Sequence, residues 1–175
     1  MASTIGVDTI QNSTSGTTGM TINTTGRVTN TNKIAFHVIG NANAAAGAYV
    51  TTSPIIPGIL KHNLGNGWNN SNGRFTVPSG GAGLYWFHLH MGIVRITAGG
   101  GSAYPRMFFY NAAGTQLFAP YTYLNLPAST AYGNCSITAT YDLAVGDYVY
   151  LTFSGTNADY YADGSELGFQ GMRIG

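Results

Sequence analysis

The stretch GLYWFHLHM, residues 83–91, decides the fold. Successive side chains of a β-strand point to opposite sides of the sheet, so the stretch divides into two sets. One side carries Leu84, Trp86, His88 and His90, and the other carries Tyr85, Phe87, Leu89 and Met91. Both sides are bulky, as in a strand that is covered on both faces. One side can fill the core of a β-sandwich, and we expect the other side to meet a second surface.

Strand-like runs recur along the chain from Lys33 onward. Runs of β-branched and aromatic residues, bounded by Gly, Asn, Pro or Asp, are 34–39, 74–77, 84–97, 105–110, 136–143, 147–153 and 167–174. Helical spacing of apolar residues is not sustained over any window of about 11 residues. The sequence therefore predicts an all-β, jelly-roll type of β-sandwich over residues 34–175.

Residues 1–33 form a separate region, in which short alternating apolar pairs lie among Thr, Ser, Asn and Gly. These apolar residues are too few to offset the entropy of ordering the segment by itself. We predict an anchor or stalk arm that pairs with another surface, with a disordered tail as the alternative. The candidate anchor residues are Ile5, Val7, Ile10, Met20, Ile22 and Val28.

Charge excludes several classes of function. Charged residues make up 7% of the chain and the formal net charge is +1, whereas aromatic residues make up 13%. We expect no nucleic-acid partner and no membrane partner, because both require a cationic surface. Six acidic residues also leave little material for carboxylate catalysis or for a calcium cage.

The start of the chain and its single cysteine add two expectations. MASTIGVDTI lacks a basic segment followed by an apolar one, so we expect synthesis in a cytoplasm without export by a signal peptide. Cys135 cannot form an intrachain disulfide, and its surroundings in sequence predict a small buried residue.

Five motifs occur in a recognisable order. They are AFHV (35–38), NNSNGRFTVP (69–78), GLYWFHLHM (83–91), DLAVGDYVYL (142–151) and LGFQGM (167–172). The region 34–175 thereby resembles the globular-head family of complement component 1q, which is related in fold to tumour necrosis factor. The resemblance implies a ten-stranded-type jelly roll and a homotrimer that packs aromatic-rich sheets around a three-fold axis.

The leader from Val7 to Val28 resembles the short leaders that precede such domains in tailed-bacteriophage virion proteins. The two resemblances imply a non-enzymatic virion structural protein, attached through its arm to the capsid or the tail. Capsid decoration, a spike and a short tail-fibre component are all compatible with this. The alternative is a receptor-binding adhesin tip that recognises a host surface glycan or a host protein.

Two sets of residues are candidates for contacts. The predicted assembly interface comprises Tyr85, Trp86, Phe87, His88, His90, Phe108, Tyr110, Tyr148, Tyr150 and Phe169. The aromatic loop residues that could contact a ligand are Trp68, Tyr104, Tyr121, Tyr123, Tyr160 and Tyr161. Tyr132 is a further aromatic loop residue, and interface or core use competes with glycan contact for all of them.

No cofactor and no catalytic residue is predicted. His88 and His90 share a strand face and could form metal-binding imidazole rings in a trimer, but hydrogen-bonded interface histidines are the favoured interpretation. Calcium or another divalent metal cannot be assigned to ligands.

The late acidic residues are interpreted as solvated turn carboxylates; they are Asp142, Asp147, Asp159, Asp163 and Glu166. Gly80–Gly83 and Gly99–Ser102 are interpreted as hairpin turns, and a glycan-degrading enzyme would need a carboxylate pair that the sequence does not suggest.

Overall fold

The computed structural model describes residues 9–11, 18–22, 25–26, 28–30, 33–40, 54–96, 98–129, 132–160 and 166–175. The chain divides into two compact units, residues 1–33 and residues 34–175. Every regular element in the described residues is a β-strand. In these residues no helix is long and apolar enough to cross a membrane.

The first unit contains one small antiparallel sheet. Its strands are β1 (Thr9–Gln11), β2 (Thr18–Ile22) and β3 (Val28–Asn30), in the order β1-β2-β3. Ile10 pairs with Met20, and Ile22 pairs with Val28. Four of the six candidate anchor residues therefore lie in strands, whereas Ile5 and Val7 lie outside the described residues.

The second unit is built from two antiparallel sheets. Sheet I has the order β12-β8-β15-β4-β5, with β14 paired to β8, and sheet II has the order β10-β9-β13-β7-β6, with β11 paired to β9. The strands of sheet I are β4 (Ala35–Ile39), β5 (Ile59–Leu64), β8 (Gly83–Arg95), β12 (Tyr132–Leu143), β14 (Ala158–Tyr160) and β15 (Leu167–Arg173). The strands of sheet II are β6 (Trp68–Asn69), β7 (Arg74–Thr76), β9 (Gly101–Tyr110), β10 (Gln116–Phe118), β11 (Leu124–Leu126) and β13 (Tyr148–Thr156). The chain crosses repeatedly between the sheets, which confirms the predicted all-β jelly roll.

Aromatic rings from both sheets form the core. The Phe36 ring of sheet I stacks on the Phe75 ring of sheet II at a centroid distance of 4.8 Å and on Trp68 at 5.1 Å. Phe87 meets Phe109 edge to face at 5.3 Å. These contacts join the two sheets through the kind of offset and edge-on ring geometry that aromatic pairs prefer.

β8 is the longest strand of sheet I and an interior one, between β12 and β15. Residues 83–94 pair with β12, while β15 and β14 share the other edge of β8. The side chains of Tyr85, Phe87, Leu89 and Met91 are fully buried in the sandwich. The alternate residues, which include Trp86, His88 and His90, lie on the outside of the sheet and are partly exposed. Both faces of β8 are bulky, as predicted, and one of them is partly exposed among the described residues.

Asp147 corrects the interpretation of the late acidic residues as solvated. Its side chain is only 6% exposed, and its two carboxylate oxygens accept hydrogen bonds from the backbone N–H groups of Ala112 and Ala144 at 3.0 and 2.9 Å. Gly146 beside it has φ 86°, a conformation that L side chains rarely adopt. The Gly-Asp pair of the DLAVGDYVYL motif therefore fixes a turn of the scaffold.

Asp159 is also buried, at 1% exposure, and this corrects the same interpretation a second time. Its Oδ1 atom accepts a hydrogen bond from the Tyr160 N–H at 2.8 Å. Burial raises the pKa of the Asp159 carboxyl above its usual range, although the Tyr160 N–H acts in the opposite direction. Asp142 is exposed as expected, and Asp163 lies outside the described residues.

Candidate functional site

The outer side of sheet I gathers all four histidines of the chain. In register, His62 of β5 lies opposite His37 of β4, His37 lies opposite Gln170 of β15, and Gln170 lies opposite His88 of β8. His90 is the next outward residue along β8. We call this surface the histidine face; it comprises His37, His62, Trp86, His88, His90, Gln170 and Met172.

Ring contacts order the histidine face. The His88 ring stacks on Trp86 at 5.8 Å with an interplanar angle of 5°, and its Nδ1 atom shares a hydrogen bond of 3.1 Å with the Thr138 hydroxyl. The His37 and His62 rings lie 6.4 Å apart. Burial lowers the pKa of His37, and the nearby cationic groups of His62 and Lys61 lower it further. His37 is therefore expected to be neutral at physiological pH.

A shallow pocket of about 390 Å³ lies in the middle of the histidine face. Gly168 provides part of its floor, and a Cβ atom added at this residue would meet nothing within 4 Å. The pocket exists because Gly168 leaves a gap in the row between His90 and Ile39. A side chain from another surface would fit into this gap.

The histidine face forms no metal site from the described residues of one chain. No group of three or more His, Cys, Asp or Glu side chains in the described residues is placed to hold a metal ion. The contact of His88 with Thr138 agrees with the favoured interpretation of this residue as a hydrogen-bonded histidine.

The outer side of sheet II presents aromatic rings and arginines. Tyr148 lies opposite Tyr110, and Tyr150 lies opposite Phe108 on one edge of β13 and opposite Arg74 on the other. We call this surface the tyrosine face; it comprises Arg74, Arg106, Phe108, Tyr110, Tyr148 and Tyr150. The tyrosine face and the histidine face belong to different sheets, so they lie on opposite outsides of the sandwich.

The rings of the tyrosine face stack side by side. The Tyr110 ring lies 5.4 Å from Tyr148 at an interplanar angle of 5°, and 5.7 Å from Tyr150 at 18°. Phe108 lies 5.6 Å from Tyr150 at 21°. Burial and a hydrogen bond with the Tyr110 side chain raise the pKa of Tyr150 to about 12. The phenol group of Tyr150 is therefore neutral throughout the physiological range.

Both arginines of the tyrosine face lie over rings. The Cζ atom of Arg74 is 4.7 Å from the Tyr148 ring centroid and 5.4 Å from that of Tyr150. The Cζ atom of Arg106 is 5.5 Å from the Tyr121 centroid. Such cation–π contacts stabilise a guanidinium group but do not neutralise its charge.

The predicted assembly set divides among three places. Tyr85, Phe87 and Phe169 are fully buried in the core, which corrects their assignment to an interface. Trp86, His88 and His90 lie on the histidine face. The remaining four lie on the tyrosine face; they are Phe108, Tyr110, Tyr148 and Tyr150. The error at Tyr85 and Phe87 arises because alternation separates the two sides of a strand but does not say which side faces the core. Alternation also does not assign strands to sheets, so the residues of sheet II were grouped with those of sheet I.

The predicted ligand-contact set also divides. Trp68 is 4% exposed and packs against Phe36, so it belongs to the core and not to a loop surface. Tyr121 and Tyr123 are 61% and 52% exposed, and Tyr123 contacts Tyr104 at a centroid distance of 4.8 Å. The half-buried Tyr160 ring packs against Phe153. Tyr161 lies outside the described residues.

Sequence reasoning missed several residues that build the two faces. His37 and Gln170 were placed in motifs, and Arg74 and Arg106 in strands, without a role. One signal was available in the sequence. A residue two positions from a predicted interface residue on the same strand points to the same side of the sheet, as Arg106 does with Phe108. His62 carried no such signal, because β5 was not predicted.

Comparisons with known proteins bear on the fold. No family model matches the chain, and no curated protein sequence matches it. Among solved structures, the globular domain of the zebrafish complement 1qA protein is similar, with a TM-score of 0.58 and 17% identity over 81% of this chain and 98% of that one. The Eiger TNF from S. frugiperda is similar with a TM-score of 0.59 and 14% identity, over 82% of this chain and 93% of that one.

Murine APRIL is a third similar structure, with a TM-score of 0.55 and 12% identity over 81% of this chain and 99% of that one. These levels of identity bear on the fold alone. The sheet orders described above, together with these three likenesses, show that the chain carries the jelly-roll fold of complement-1q and tumour-necrosis-factor domains.

Proposed function

We propose that this chain is a non-enzymatic structural protein of a bacteriophage particle. In this proposal the jelly roll forms a homotrimer, and residues 1–33 attach it to the capsid or the tail as a decoration, a spike or a short fibre component. The histidine face is the observation that carries the trimer. Trp86 and Met172 lie there beside four histidines, and such a surface is bulky and nearly uncharged.

The position of the histidine face supports this assignment. It lies on sheet I, whose strand β8 has its other side buried in the core, and its side chains are partly exposed in the described part of the chain. The trimer implied by the resemblance to complement-1q domains packs such faces around an axis. An aromatic patch that excludes charge is typical of the centre of a protein interface.

Light scattering at micromolar concentration tests the trimer. The mass expected for the assembly is three times that of the 18.4 kDa chain. The variant Gly168→Arg fills the pocket between His90 and Ile39 without touching the core, and we expect it to dissociate the trimer. Thr76→Arg is the matched control, because it places the same side chain on the outer side of sheet II. A stable monomer of the unaltered chain would contradict the proposal.

Removal of residues 1–33 tests the arm. We expect residues 34–175 to remain a folded trimer, since they form a compact unit, and to lose attachment to the particle. Attachment that survives the truncation would refute an anchoring role. Image reconstruction of intact particles would then give the location and the copy number of the chain.

A receptor-binding adhesin tip is the second candidate function. It is favoured by the exposed rings of Tyr121 and Tyr123, which lie beside the tyrosine face. Copy number separates the two candidates. Hundreds of copies over the capsid would support decoration, whereas a few copies at the end of a tail would support adhesion.

A further inference from the structure

We propose that the tyrosine face binds a carbohydrate that carries carboxylate groups, such as a glycan containing uronic or sialic acid. This inference goes beyond the structural role proposed above and gives the adhesin alternative a class of ligand. It rests on the surface of a single chain, so it holds or fails independently of the trimer.

The first observation is a difference among the arginines. Arg95 donates hydrogen bonds to the carbonyl oxygens of Pro127 and Ala128, and Arg173 donates to those of Gly80 and Gly175. Arg74 and Arg106 have no such acceptor in the described part of the chain, and the Nε–H of each is buried without a hydrogen-bond partner there. The Nε–H groups are out of reach of a ligand, so the charge and the terminal amino groups of these two partly exposed side chains are what an external acceptor can engage.

The second observation is the charge of the tyrosine face. No carboxylate in the described residues pairs with Arg74 or Arg106, and the nearby Asp147 is buried with both oxygens bonded to backbone N–H groups. The face is therefore positive, although the whole chain is nearly neutral. A planar guanidinium group matches a carboxylate in two parallel hydrogen bonds, which makes a carboxylate the favoured counter-ion.

The third observation is the geometry of the rings. Rings that are nearly parallel at 5.4 to 5.7 Å cover each other's faces, so their edges and phenol groups form the surface. Tyr110, Tyr148 and Tyr150 contribute hydroxyl groups, and Thr152 and Ser154 continue the row of hydroxyls along β13. Hydroxyl groups that both donate and accept are suited to the polyhydroxyl surface of a sugar.

The spacing of the two cations indicates an oligomeric ligand. Arg74 is on β7 and Arg106 is on β9, with β13 between them. Two strand spacings separate the backbones by about 10 Å. The Tyr150 and Phe108 rings occupy the intervening surface. A chain of two or more sugars can reach both arginines, whereas one monosaccharide engages only one of them.

Nucleic acid is disfavoured as the ligand. Nonspecific binding to single strands depends on a cationic groove that neutralises several phosphates. The tyrosine face offers only Arg74 and Arg106, and the chain has a formal net charge of +1. A carboxylated glycan needs fewer cations, because hydroxyl contacts contribute to its binding.

Titration calorimetry with a defined oligogalacturonate tests the proposal. We expect binding that weakens as salt is added, because the contacts with the arginines are partly exposed. The methyl-esterified oligosaccharide, a glutamate peptide with the same number of carboxylates and a short oligothymidylate are the comparison ligands. Tighter binding of the oligogalacturonate than of all three comparison ligands supports the proposal.

Three outcomes would overturn it. If the oligogalacturonate does not bind, the tyrosine face is not a site for carboxylated glycans. Equal binding of the glutamate peptide assigns the face to acidic peptides, and equal binding of oligothymidylate assigns it to nucleic acid. Because light scattering reports the trimer separately, failure of the glycan site and failure of the proposed assembly are distinguishable.

Variants locate the site on the tyrosine face. Thr152 lies opposite Arg106 in register, so Thr152→Glu brings a carboxylate beside that guanidinium group without removing it. We expect this variant to weaken binding about tenfold or more. Thr152→Gln places a side chain of the same shape but without charge there, and it should retain most of the binding. Arg74→Gln should weaken binding similarly, and Lys61→Gln, which removes a charge from sheet I, should not. Equal affinity of the Glu and Gln variants at Thr152 would contradict the location.

Discussion

Gly171 lies directly opposite Phe87 in the register of β15 and β8, and a Cβ atom added to it would come 2.6 Å from the Cδ1 atom of that ring. The same atom would also lie 2.6 Å from the Phe36 Cε1 atom. The aromatic core therefore depends on the absence of a side chain at this point of the LGFQGM motif. Both rings are held by other rings, so neither can move aside without disturbing its neighbours.

Gly171→Ala should lower the free energy of unfolding by about 1 to 3 kcal/mol, because the added methyl group overpacks the core. Gly168→Ala is the matched control on the same strand, since its Cβ atom meets nothing within 4 Å. We expect the control to change stability by no more than about 0.5 kcal/mol. Denaturant unfolding of the two variants measures the difference, and equal stabilities would contradict the packing described for Gly171.

Asp147→Ala should lower the free energy of unfolding by about 2 to 4 kcal/mol, because two backbone N–H groups lose a charged acceptor. Asp147→Asn retains one carbonyl acceptor, so its free energy of unfolding should lie between that of Asp147→Ala and that of the natural chain. Asp142→Ala, at an exposed position of the same motif, should have little effect. If Asp142→Ala destabilised the domain as much as Asp147→Ala, the turn would not depend on the buried carboxylate.

Stability should fall as the pH is lowered below 6.5, the ordinary pKa of histidine. The pKa of folded His37 is lowered by burial and by His62 and Lys61, so the unfolded chain binds its proton first. His37 therefore contributes stability that is present above pH 6.5 and is lost as the pH falls toward its folded pKa. Thermal unfolding between pH 7.5 and 5.5 measures the slope, and His37→Gln should make it shallower. An unchanged slope in this variant would assign the acid sensitivity to other groups.

Cys135 should react slowly with a thiol reagent in the folded protein. Burial raises its pKa to about 11, and its Sγ atom donates a hydrogen bond to the Met91 carbonyl oxygen at 3.5 Å. At pH 8 only about one thiol in a thousand is then ionised, and the thiolate is the reactive form. The rate of reaction with Ellman's reagent should rise strongly in guanidinium chloride. A folded-state rate equal to the unfolded one would show that the thiol is exposed.

The sequence predicted those strands whose alternation is strong. In β8 the large side chains alternate over the whole strand, and its two sides were correctly separated. β5 was missed because ILKHNL lies at a sheet edge and is largely exposed, so apolar alternation is absent. β10, β11 and β14 are three residues long and give no periodic signal.

The surfaces could be predicted only in part. Alternation correctly paired Tyr148 with Tyr150, and His88 with His90, as residues of one face. Whether two strands share a sheet depends on pairing between distant parts of the chain, such as β13 with β9. This is why the tyrosines of sheet II were grouped with the histidines of sheet I. The prediction for Trp68 was wrong for a related reason. Its neighbours are Asn and Gly, as in a loop, but Trp68 lies in a short strand and its ring packs against Phe36.

The arrangement of the histidine face and the tyrosine face back to back has a consequence for valency. If three copies assemble through the histidine face, each leaves its tyrosine face directed away from its partners, and the trimer displays the same site three times. A glycan repeated along a cell surface could then be held by several sites at once, with the effective concentration set by the spacing between copies. Tight attachment would thus arise from the number and spacing of the sites, even where each single site dissociates quickly from its sugar.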